Sequence, residues 1–384
     1  MLTELAGGGA ERSMLTIIDA LDRRRFTPIL ILFDSRQDHA PPRDVPVIVL
    51  SARAPLAILR LVSRVKQLAR VVREQRLDLV VSFLIGPNVV AIAASRLARV
   101  PVVIGERSAP RTVLSRENTQ LRARAFWAAL VRLTYPRATG VVTNTEGARA
   151  ELAEFLRIPA DRVTVIPNAI DLERISALAA EPLDAGMTWP PEPVLVHVGR
   201  FTVAKDHDTL LNAFAQVRRR RPATLVLVGD GEDEGHVRAR CHELGLDAHV
   251  IFTGFTRNPY RYLARATISV LTSRFEGLPN ALIEAMALGI PIVSTASQFG
   301  PVELLGGGDL GVLTPVGDAA AFAAAVEALL DDPARRRELS ERGRTRARDF
   351  DRLRIGPTYE DLFARTAAHA DQRAGVKSSP ATST

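Results

Sequence analysis

The sequence has almost no cysteine: Cys241 is the only one among 384 residues. A single thiol excludes an internal disulfide framework and a cysteine metal cluster, and it favours a reducing compartment. Cys241 lies in the helical run 236–244, so we expect a packed core side chain and not a reactive thiol.

Long apolar runs are also missing. Hydrophobic residues make up 47% of the chain, yet no run approaches the ~20 apolar residues that span a bilayer. No charged-then-apolar leader opens the sequence. We therefore expect a cytoplasmic protein that is not integral to a membrane. A length of 384 residues exceeds the usual single core and predicts two domains.

Strand-length apolar runs alternate with helical periods, which is typical of parallel α/β sheets. Strands are predicted near residues 29–33, 47–50, 79–83, 102–105, 140–143, 163–166, 194–198, 224–228, 250–252, 268–271 and 291–294. The clearest helices are predicted at 56–76, 122–133, 319–330 and 333–349.

The same pattern predicts the domain boundaries. Residues 1–172 form a first domain whose first strand is clipped, because few residues precede the first glycines. A proline-rich linker, 173–193, leads to a second domain at 194–350. A C-terminal helix at 351–373 is expected to pack back toward the first domain, and the small, polar residues 374–384 are expected to be disordered.

Two glutamates, Glu276 and Glu284, flank a predicted helix start. A Gly-Leu-Pro turn separates them, and Asn280 is expected as the N-cap of helix 281–288. The free amides of a helix N-terminus attract phosphate, and a carboxylate on either side can accept hydrogen bonds from hydroxyls. The arrangement suits a nucleotide sugar. The simpler interpretation is a pair of solvated glutamates around an ordinary helix.

A second group of residues lies upstream. The apolar run 194–198 is followed by Gly199-Arg200 and, five residues later, by Lys205. Ligands bind at the carboxyl edge of parallel sheets, where an arginine fork and a lysine point charge can neutralise a diphosphate. Another strand, 224–228, leads into the tight turn 229–231.

With these motifs in order, the chain resembles the retaining GT-B glycosyltransferases of family four, and within them the branch that acts on polyprenyl-diphosphate-linked glycans. The resemblance implies an α/β fold of two Rossmann-like domains that face each other across a cleft. The matching stretches are Gly7–Arg12, Val165–Asp171, Gly199–Arg200 with Lys205, Gly229–Gly231, Phe252–Phe255 and the segment of the two glutamates.

The resemblance also implies roles for particular residues. Arg200 and Lys205 would hold the diphosphate of a UDP-sugar donor, and Glu276 would touch the donor sugar; these three form the expected catalytic group. Glu284 would bind the ribose hydroxyls. The UDP-sugar is a co-substrate, and neither a metal nor another cofactor is expected. The other expected donor-binding residues are Gly8, Gly9, Gly229, Asp230, Arg257, Gly277, Leu278, Pro279, Asn280 and Ala281.

The chain departs from the family after the strand 101–104. Many members place a histidine near the donor sugar, whereas this chain has Glu106-Arg107. Such a pair resembles the polyprenyl-diphosphate branch, in which Glu106 would orient an acceptor hydroxyl and Arg107 would meet the lipid diphosphate. Alternatively, the two side chains form a salt bridge with each other.

Positive charge is concentrated in the first half, where residues 1–170 hold 25 Arg and Lys against 15 Asp and Glu. The helix predicted at 56–76 has an apolar face and a basic one, which is either solvated or docks on anionic lipid. A second basic stretch, 111–137, interleaves arginines with aromatics, as at membrane interfaces. No nucleic-acid motif is present, and nucleic acid is not expected as a partner. The apolar face has Leu61, Val65, Leu68 and Val72; the basic face has Lys66, Arg70 and Arg73, with Arg60 and Arg64 at its edge; the aromatics are Phe126, Trp127 and Tyr135.

Two other patterns have simpler explanations. Asp206-His207-Asp208 is similar to a metal-binding acid pair. Its simpler explanation is that acids in the first turn of a helix complement the helix dipole. The glycines at 229, 231 and 235 do not have the spacing of a dinucleotide fingerprint.

The sequence thus predicts a retaining enzyme that moves a hexose or N-acetylhexosamine from a UDP-sugar to a lipid-linked glycan at the inner face of the cytoplasmic membrane, in cell-surface polysaccharide or glycolipid synthesis. The alternatives are a UDP-sugar 2-epimerase of the same fold and a non-catalytic scaffold that binds nucleotide sugars.

Overall fold

The computed structural model describes residues 1–5, 8–36, 38–52, 56–107, 121–184 and 186–375. The chain divides into two compact units. Unit 1 comprises Met1–Pro167 with Leu353–Thr384, and unit 2 comprises Asn168–Arg352. Most of the tail predicted to be disordered, residues 376–384, lies outside the described residues.

Unit 1 alternates parallel strands with helices. Its strands are β1 (Leu30–Leu32), β2 (Val47–Val49), β3 (Val80–Phe83), β4 (Val102–Glu106), β5 (Gly140–Thr143) and β6 (Val163–Val165). Its helices in this part of the chain are α1 (Gly9–Ala20), α2 (Ala57–Glu74), α3 (Ile85–Ala98), α4 (Leu121–Thr134) and α5 (Glu146–Leu156). Strands β3 to β6 form one sheet in chain order, and β1 pairs with β2.

The first residues of the chain join these two groups of strands. Leu2 forms a parallel bridge to Leu32 of β1, and Met1 exchanges backbone hydrogen bonds with Val81 and Phe83 of β3. Residues 1–3 therefore lie between β1 and β3, in the position of a short central strand.

Unit 1 is closed by the helix α14 (Arg352–Gly375), which is numbered after the helices of unit 2. The carboxylate of Glu360 accepts hydrogen bonds from the backbone N–H of Asp22 at 2.7 Å and from Arg25 at 2.9 Å. The ring of Phe363 meets that of Phe26 edge-on, with centroids 6.4 Å apart. Polar and apolar contacts thus fix the C-terminal helix within unit 1.

Unit 2 is a parallel six-stranded sheet with helices between its strands. Its strands are β7 (Val194–Val198), β8 (Thr224–Val228), β9 (Val250–Gly254), β10 (Ile268–Leu271), β11 (Ile292–Thr295) and β12 (Val312–Thr314). Its helices are α6 (Leu172–Ala179), α7 (His207–Arg220), α8 (Glu234–Glu243), α9 (Tyr260–Leu263), α10 (Asn280–Leu288), α11 (Gly300–Leu304), α12 (Ala319–Asp331) and α13 (Pro333–Ala347). The strand order is β12-β11-β10-β7-β8-β9.

The segment 173–193, predicted as a linker, is part of unit 2. It contains most of α6, whose Ile175 is buried in the unit's core. After the helix, side chains in the proline-rich stretch pack against the same core. Proline content suggested a linker, but these apolar side chains hold the segment in place. They are Leu183, Met187 and Trp189.

The predicted strands are all present, with ends shifted by at most two residues. They could be predicted because strands buried on both faces of a parallel sheet need continuous apolar runs. The structure also has one further strand, β12, that was not predicted from the sequence. It has only three residues between Gly311 and Pro315, too few to show a period. Cys241 is buried in the core of unit 2, as predicted.

Two backbone turns meet closely at the ends of β7 and β8. Gly229 has a φ of +137°, and a Cβ atom there would lie 2.1 Å from the carbonyl oxygen of Gly199. Only glycine allows both this conformation and this approach. The contact lets the chain turn sharply out of two adjacent strands.

We therefore expect Gly229→Ala to lower the free energy of unfolding by ~2 kcal/mol or more, from backbone strain and the clash with Gly199. Urea unfolding would measure the loss. Gly235→Ala is the matched control, since a Cβ at this position of α8 meets no atom within 4 Å. It should leave stability unchanged or raise it by up to ~1 kcal/mol. Equal stability of both variants would contradict the steric account.

Candidate functional site

The sheet of unit 2 changes direction at β7, which has β8 on one side and β10 on the other. At such a point, successive connections leave for opposite faces of the sheet and open a crevice at the carboxyl ends of the strands. The loop after β7 carries Arg200 and Lys205, and the loop after β10 carries Glu276. Three predicted site residues therefore lie where this fold binds ligands.

Lys205 and Glu276 are in direct contact. The Nζ atom of Lys205 lies 2.5 Å from Oε1 of Glu276, and the hydroxyl of Ser273 donates to the same oxygen at 2.7 Å. Both charged side chains are mostly buried, at 19% and 14% exposure. Partial burial strengthens the attraction between the ammonium and the carboxylate and holds both groups in place.

The other basic and glycine positions lie along the same sheet edge. Arg200 is exposed immediately after β7, and Arg257 is exposed after β9. The carbonyl of Asp230, at the end of β8, accepts a hydrogen bond from the N–H of Phe201 at 2.7 Å. The turns after β7 and β8 are thus tied together, with the side chains of Arg200 and Asp230 facing solvent.

The helix α10 begins one residue earlier than a cap at Asn280 requires. Pro279 is the N-cap residue and Asn280 is already helical, so the prediction for Asn280 is wrong by one position. The amide of Asn168 donates to the side-chain oxygen of Asn280 at 2.7 Å and to the carbonyl of Leu278 at 2.8 Å. The side chain of Asn280 therefore faces Asn168, which fixes the turn before the helix.

Glu284 lies one turn inside α10 and is 3% exposed. Its carboxylate accepts a long hydrogen bond, 3.3 Å, from the hydroxyl of Tyr260 on α9. The predicted spacing is therefore correct: Glu276 precedes the helix and Glu284 is within it. The amides of Gly277 to Ala281 lie between them along the chain.

Three supporting residues were not predicted to take part in the site. They are Ser273, Tyr260 and Asn168. Asn168 belongs to a family motif, which was the only signal for any of them. Asn168 and Tyr260 have partners 112 and 24 residues away along the chain, so no spacing in the sequence could show these two contacts. Ser273 lies three residues from its partner Glu276.

Asp206-His207-Asp208 has no metal-like geometry. Asp206 caps α7, and Asp208 lies 2.9 Å from His236. Across the described ranges, no group of three or more His, Cys, Asp or Glu side chains could hold a metal ion. Burial lowers the pKa of His207 to about 4, so its imidazole is neutral at pH 7 and packs against the ring of Phe201.

In unit 1, Gly8 caps α1 and Gly9 is its first residue. Gly7 lies outside the described residues. The carboxylate of Glu11 covers Gly8, since a Cβ there would lie 2.2 Å from its Oε2 atom. The predicted glycines thus form a helix N-terminus with an acid in its first turn.

Glu106 is the last residue of β4, the strand between β3 and β5, and Arg107 follows it. Glu106 accepts hydrogen bonds from the hydroxyl of Tyr135 and from the amide of Asn88, the latter at 3.0 Å. Arg107 donates to the hydroxyl of Tyr359 at 2.7 Å, and its guanidinium lies 3.9 Å from the centroid of the Phe83 ring. Both residues are buried and bond to partners on other elements.

Burial also changes the protonation of this cluster. It raises the pKa of Glu106 to about 7, while the hydrogen bonds from Tyr135 and Asn88 and the charge of Arg107 oppose the rise. Tyr135 was predicted among the aromatics of a membrane interface. That prediction is wrong for Tyr135, because its ring is fully buried. The part of that basic stretch at 111–120 lies outside the described residues.

The helix α2 has the predicted apolar face, with Leu68 and Val72 buried and Leu61 and Val65 packed against the core. Several of its basic residues contact other groups of the protein, which was not predicted. The guanidinium of Arg64 lies 4.2 Å from the centroid of the Phe33 ring, Arg70 pairs with Glu74 at 2.7 Å, and Arg73 donates to the carbonyl of Leu97. Lys66 is exposed.

The start of the same helix exposes apolar side chains, and this exposure was not predicted. Each is 45% or more exposed, and they lie within seven consecutive residues. In the described part of the chain, no helix is long and apolar enough to cross a bilayer. The exposed side chains are Leu56, Ile58, Leu59 and Val62.

Comparison with known proteins gives consistent matches over both units. Residues 7–174 match the family model described as Glycosyltransferase Family 4, and residues 188–346 match the one described as Glycosyl transferases group 1. A Campylobacter jejuni protein, N-acetylgalactosamine-N,N'-diacetylbacillosaminyl-diphospho-undecaprenol 4-alpha-N-acetylgalactosaminyltransferase, is 28% identical over 91% of this chain and 94% of its own.

Two further matches are informative. The lipopolysaccharide core biosynthesis glycosyltransferase LpsE of Rhizobium meliloti is 35% identical over 61% of this chain and 66% of its own. The crystal structure of Anabaena Alr3699/HepE in complex with UDP-glucose has a TM-score of 0.75 at 23% identity and covers 95% of this chain and 99% of its own. The structural likeness establishes the GT-B fold.

The raised pKa of Glu106 has a consequence for stability. A buried acid that stays protonated contributes stability that is full below its unfolded pKa, 4.5, and is lost as the pH rises through about 7. We expect Glu106→Gln, which mimics the neutral acid, to reduce the loss of unfolding free energy between pH 5 and pH 8 by as much as ~3 kcal/mol. Urea unfolding at both pH values measures it.

The two proteins share every other titratable group, and Tyr135, which bonds to Glu106, has a pKa raised well above this pH range. The difference therefore isolates Glu106. Glu74→Gln, at an exposed position of α2, is the control and should keep the wild-type pH dependence. The same loss in wild type and Glu106→Gln would mean that Glu106 is ionised at pH 7.

Proposed function

This chain belongs to the GT-B glycosyltransferases of group 1 and family four, and on that premise we propose its reaction. It is a retaining enzyme that moves a hexose or N-acetylhexosamine from a UDP-sugar to a glycan on a polyprenyl diphosphate. The observation that carries the proposal is the Lys205–Glu276 pair at the crevice beside β7. In this proposal the ammonium of Lys205 would bind the diphosphate, and the neighbouring carboxylate of Glu276 would bind sugar hydroxyls.

The donor diphosphate would take its counter-charges from unit 2. Lys205 has three N–H donors and uses one toward Glu276, so its others can reach phosphate oxygens. Arg200 would add a fork of donors from solvent. The backbone N–H groups of Leu278, Asn280 and Ala281 would complete the site at the start of α10, where Pro279 has no N–H to donate. This set neutralises the leaving diphosphate with protein groups, and we propose that no metal is needed.

The reaction would then depend on positioning and on electrostatic stabilisation of the leaving group. As the bond between the anomeric carbon and the diphosphate oxygen breaks, Lys205 and Arg200 stabilise the charge that develops. The acceptor hydroxyl attacks from the same face, and a diphosphate oxygen takes its proton. The configuration of the sugar is retained, and no protein nucleophile is required.

The acceptor is inferred from likeness. The Campylobacter relative, matched over 91% of this chain, carries a diphospho-undecaprenol acceptor in its name. Residues 1–170 also hold an excess of basic over acidic residues, which favours an anionic substrate. Glu106 and Arg107 remain the proposed acceptor-side residues. Because both side chains are buried, we propose that they act on the acceptor indirectly. They would do so by holding the backbone in place and, for Arg107, through its hydrogen bond to Tyr359.

We further propose peripheral docking on the inner face of the cytoplasmic membrane through the start of α2. Its exposed apolar side chains, among them Ile58 and Leu59, would enter the headgroup region of an anionic bilayer. Lys66, about two turns further on, would lie at headgroup level and add ~1 kcal/mol of attraction to the anionic surface. An enzyme whose acceptor is a lipid gains from being held at that surface.

The direct test is to incubate the full-length protein with UDP-hexoses or UDP-N-acetylhexosamines, with and without a polyprenyl-diphosphate-linked glycan. We expect UDP release only with acceptor, and a product whose new bond has the anomeric configuration of the donor, read by NMR. Consumption of a UDP-N-acetylhexosamine without acceptor would indicate a 2-epimerase. Tight UDP binding without turnover of any donor would indicate a scaffold.

The two glutamates should behave differently. Glu284→Ala should weaken UDP binding by about tenfold or more, because a charge-assisted hydrogen bond to ribose is lost. Glu276→Ala should not weaken UDP binding but should lower transfer about 100-fold, because the sugar is no longer oriented. Calorimetry and initial rates measure these effects, and Glu338→Ala, on the exposed side of α13, is the control. Unchanged UDP affinity in Glu284→Ala would refute the ribose assignment.

The docking surface predicts sedimentation with vesicles. The wild type should bind anionic liposomes at low salt and be released as salt rises, since exposed charges are screened within ~8 Å at physiological ionic strength. The double variant Ile58→Ser and Leu59→Ser should lose this binding and keep its UDP affinity. Val316→Ser, another exposed apolar position, should bind vesicles like the wild type. Equal binding to neutral and anionic vesicles would rule out the proposed role of charge.

A further inference from the structure

The loop after β7 is fastened to the loop after β10 by side chains to which the family resemblance assigned no role. Asp206, which follows Lys205, is 5% exposed. Arg274 lies two residues before Glu276 and binds the carboxylate of Asp206 with two nitrogen atoms. Its Nη2 lies 3.1 Å from Oδ1 of Asp206, and its Nε lies 3.0 Å from Oδ2. A forked ion pair of this kind fixes orientation as well as distance.

The backbone of the same two loops is joined as well. The hydroxyl of Thr272, which is fully buried, lies 3.0 Å from the carbonyl oxygens of both Lys205 and Asp206. The N–H of Arg274 donates to the carbonyl of Ala204 at 2.9 Å. The carbonyls of three consecutive residues, 204–206, therefore accept hydrogen bonds from residues 272–274.

The conformation of Asp206 shows that this arrangement is imposed on the chain. Asp206 has a φ of +51° and ψ of +56°, the left-handed region that a residue with a Cβ seldom adopts. Its carboxylate also accepts hydrogen bonds from the backbone N–H and from the hydroxyl of Thr209. Thr209 lies in the first turn of α7, so Asp206 caps this helix. One side chain thus sets the turn after Lys205, the start of a helix and the link to the opposite loop.

We propose that Asp206, Arg274 and Thr272 are positioning residues for sugar transfer, which hold Lys205 in register with Glu276. The inference rests on the proposed function, because it assigns the diphosphate to Lys205 and the sugar to Glu276. These two groups act on one donor molecule from different loops. Their separation must stay constant while the glycosidic bond breaks, and the three residues supply that constraint without touching the donor.

Conservative variants can test the constraint without disrupting the fold. Asp206→Asn keeps a residue that caps helices and tolerates left-handed backbone, but it removes the charge that Arg274 binds. Arg274→Gln removes the other partner. Each variant should lower kcat about 10- to 100-fold, change UDP affinity by less than about threefold, and keep the melting temperature, because positional errors near 1 Å are costly mainly in the transition state.

A double-mutant cycle separates positioning from general support. If both residues act through their ion pair, the double variant should be no slower than the slower single variant. The control is the exposed ion pair Arg221–Asp331, 2.6 Å apart on the same unit. Arg221→Gln and Asp331→Asn should leave kcat unchanged. Additive losses in the cycle, a wild-type kcat, or a loss that follows melting temperature would each overturn the proposal.

Hydrogen exchange distinguishes failure of this inference from failure of the proposed function. Amide protection in residues 202–206 and 272–276 should fall in Asp206→Asn and Arg274→Gln but not in the Arg221→Gln control. Unchanged protection would overturn the positioning role even if the wild type transfers sugar. Lower protection with a wild type that transfers no sugar to any acceptor would overturn the proposed function and leave the link between the loops established.

Discussion

The architecture of the candidate donor site depends on one constraint: in the sheet of unit 2, β7 has β8 on one side and β10 on the other. A parallel strand needs a crossover to reach its neighbour, and crossovers that leave in opposite directions cover opposite faces. The carboxyl end of β7 is therefore left uncovered. Arg200 and Lys205 follow that end, and Glu276 follows the neighbouring β10, so the reversal of strand order is what brings their loops together.

Adjacent loops are not enough for chemistry, and the structure shows how these are made rigid. Glycine at position 229 lets the turns after β7 and β8 touch through their backbones. Asn168 holds the turn before α10 from the first residue of unit 2. Asp206 and Arg274 fasten the loops that carry Lys205 and Glu276. Each device removes conformational freedom before a ligand arrives, and so reduces the entropy cost of binding.

Unit 1 uses burial in a different way. Strand β4 ends in Glu106, and Arg107 follows it. Inside the protein, Glu106 is held by Tyr135 and Asn88, and Arg107 is held by Tyr359. A charged pair at the end of a parallel strand has the position of a functional group, yet both members are inside the protein. Burial raises the pKa of the Glu106 carboxyl to about 7, so about half of it is protonated at pH 7. On the surface, the start of α2 exposes apolar side chains beside basic ones, and the proposed membrane docking rests on this feature.

The sequence by itself determined the class of fold, the strands other than β12, and the spacing of Glu276 and Glu284, because these follow from local periodicity and from motifs in a fixed order. It did not determine the role of Asn280, the burial of Tyr135, the place of 173–193 in unit 2, or the apolar exposure at Ile58. Each of these depends on which residue from a distant part of the chain lies opposite. The contacts of Asp206 with Arg274 and of Asn168 with Asn280 arise only when the strands have paired, since 68 and 112 residues separate the partners. Tertiary structure alone decided them.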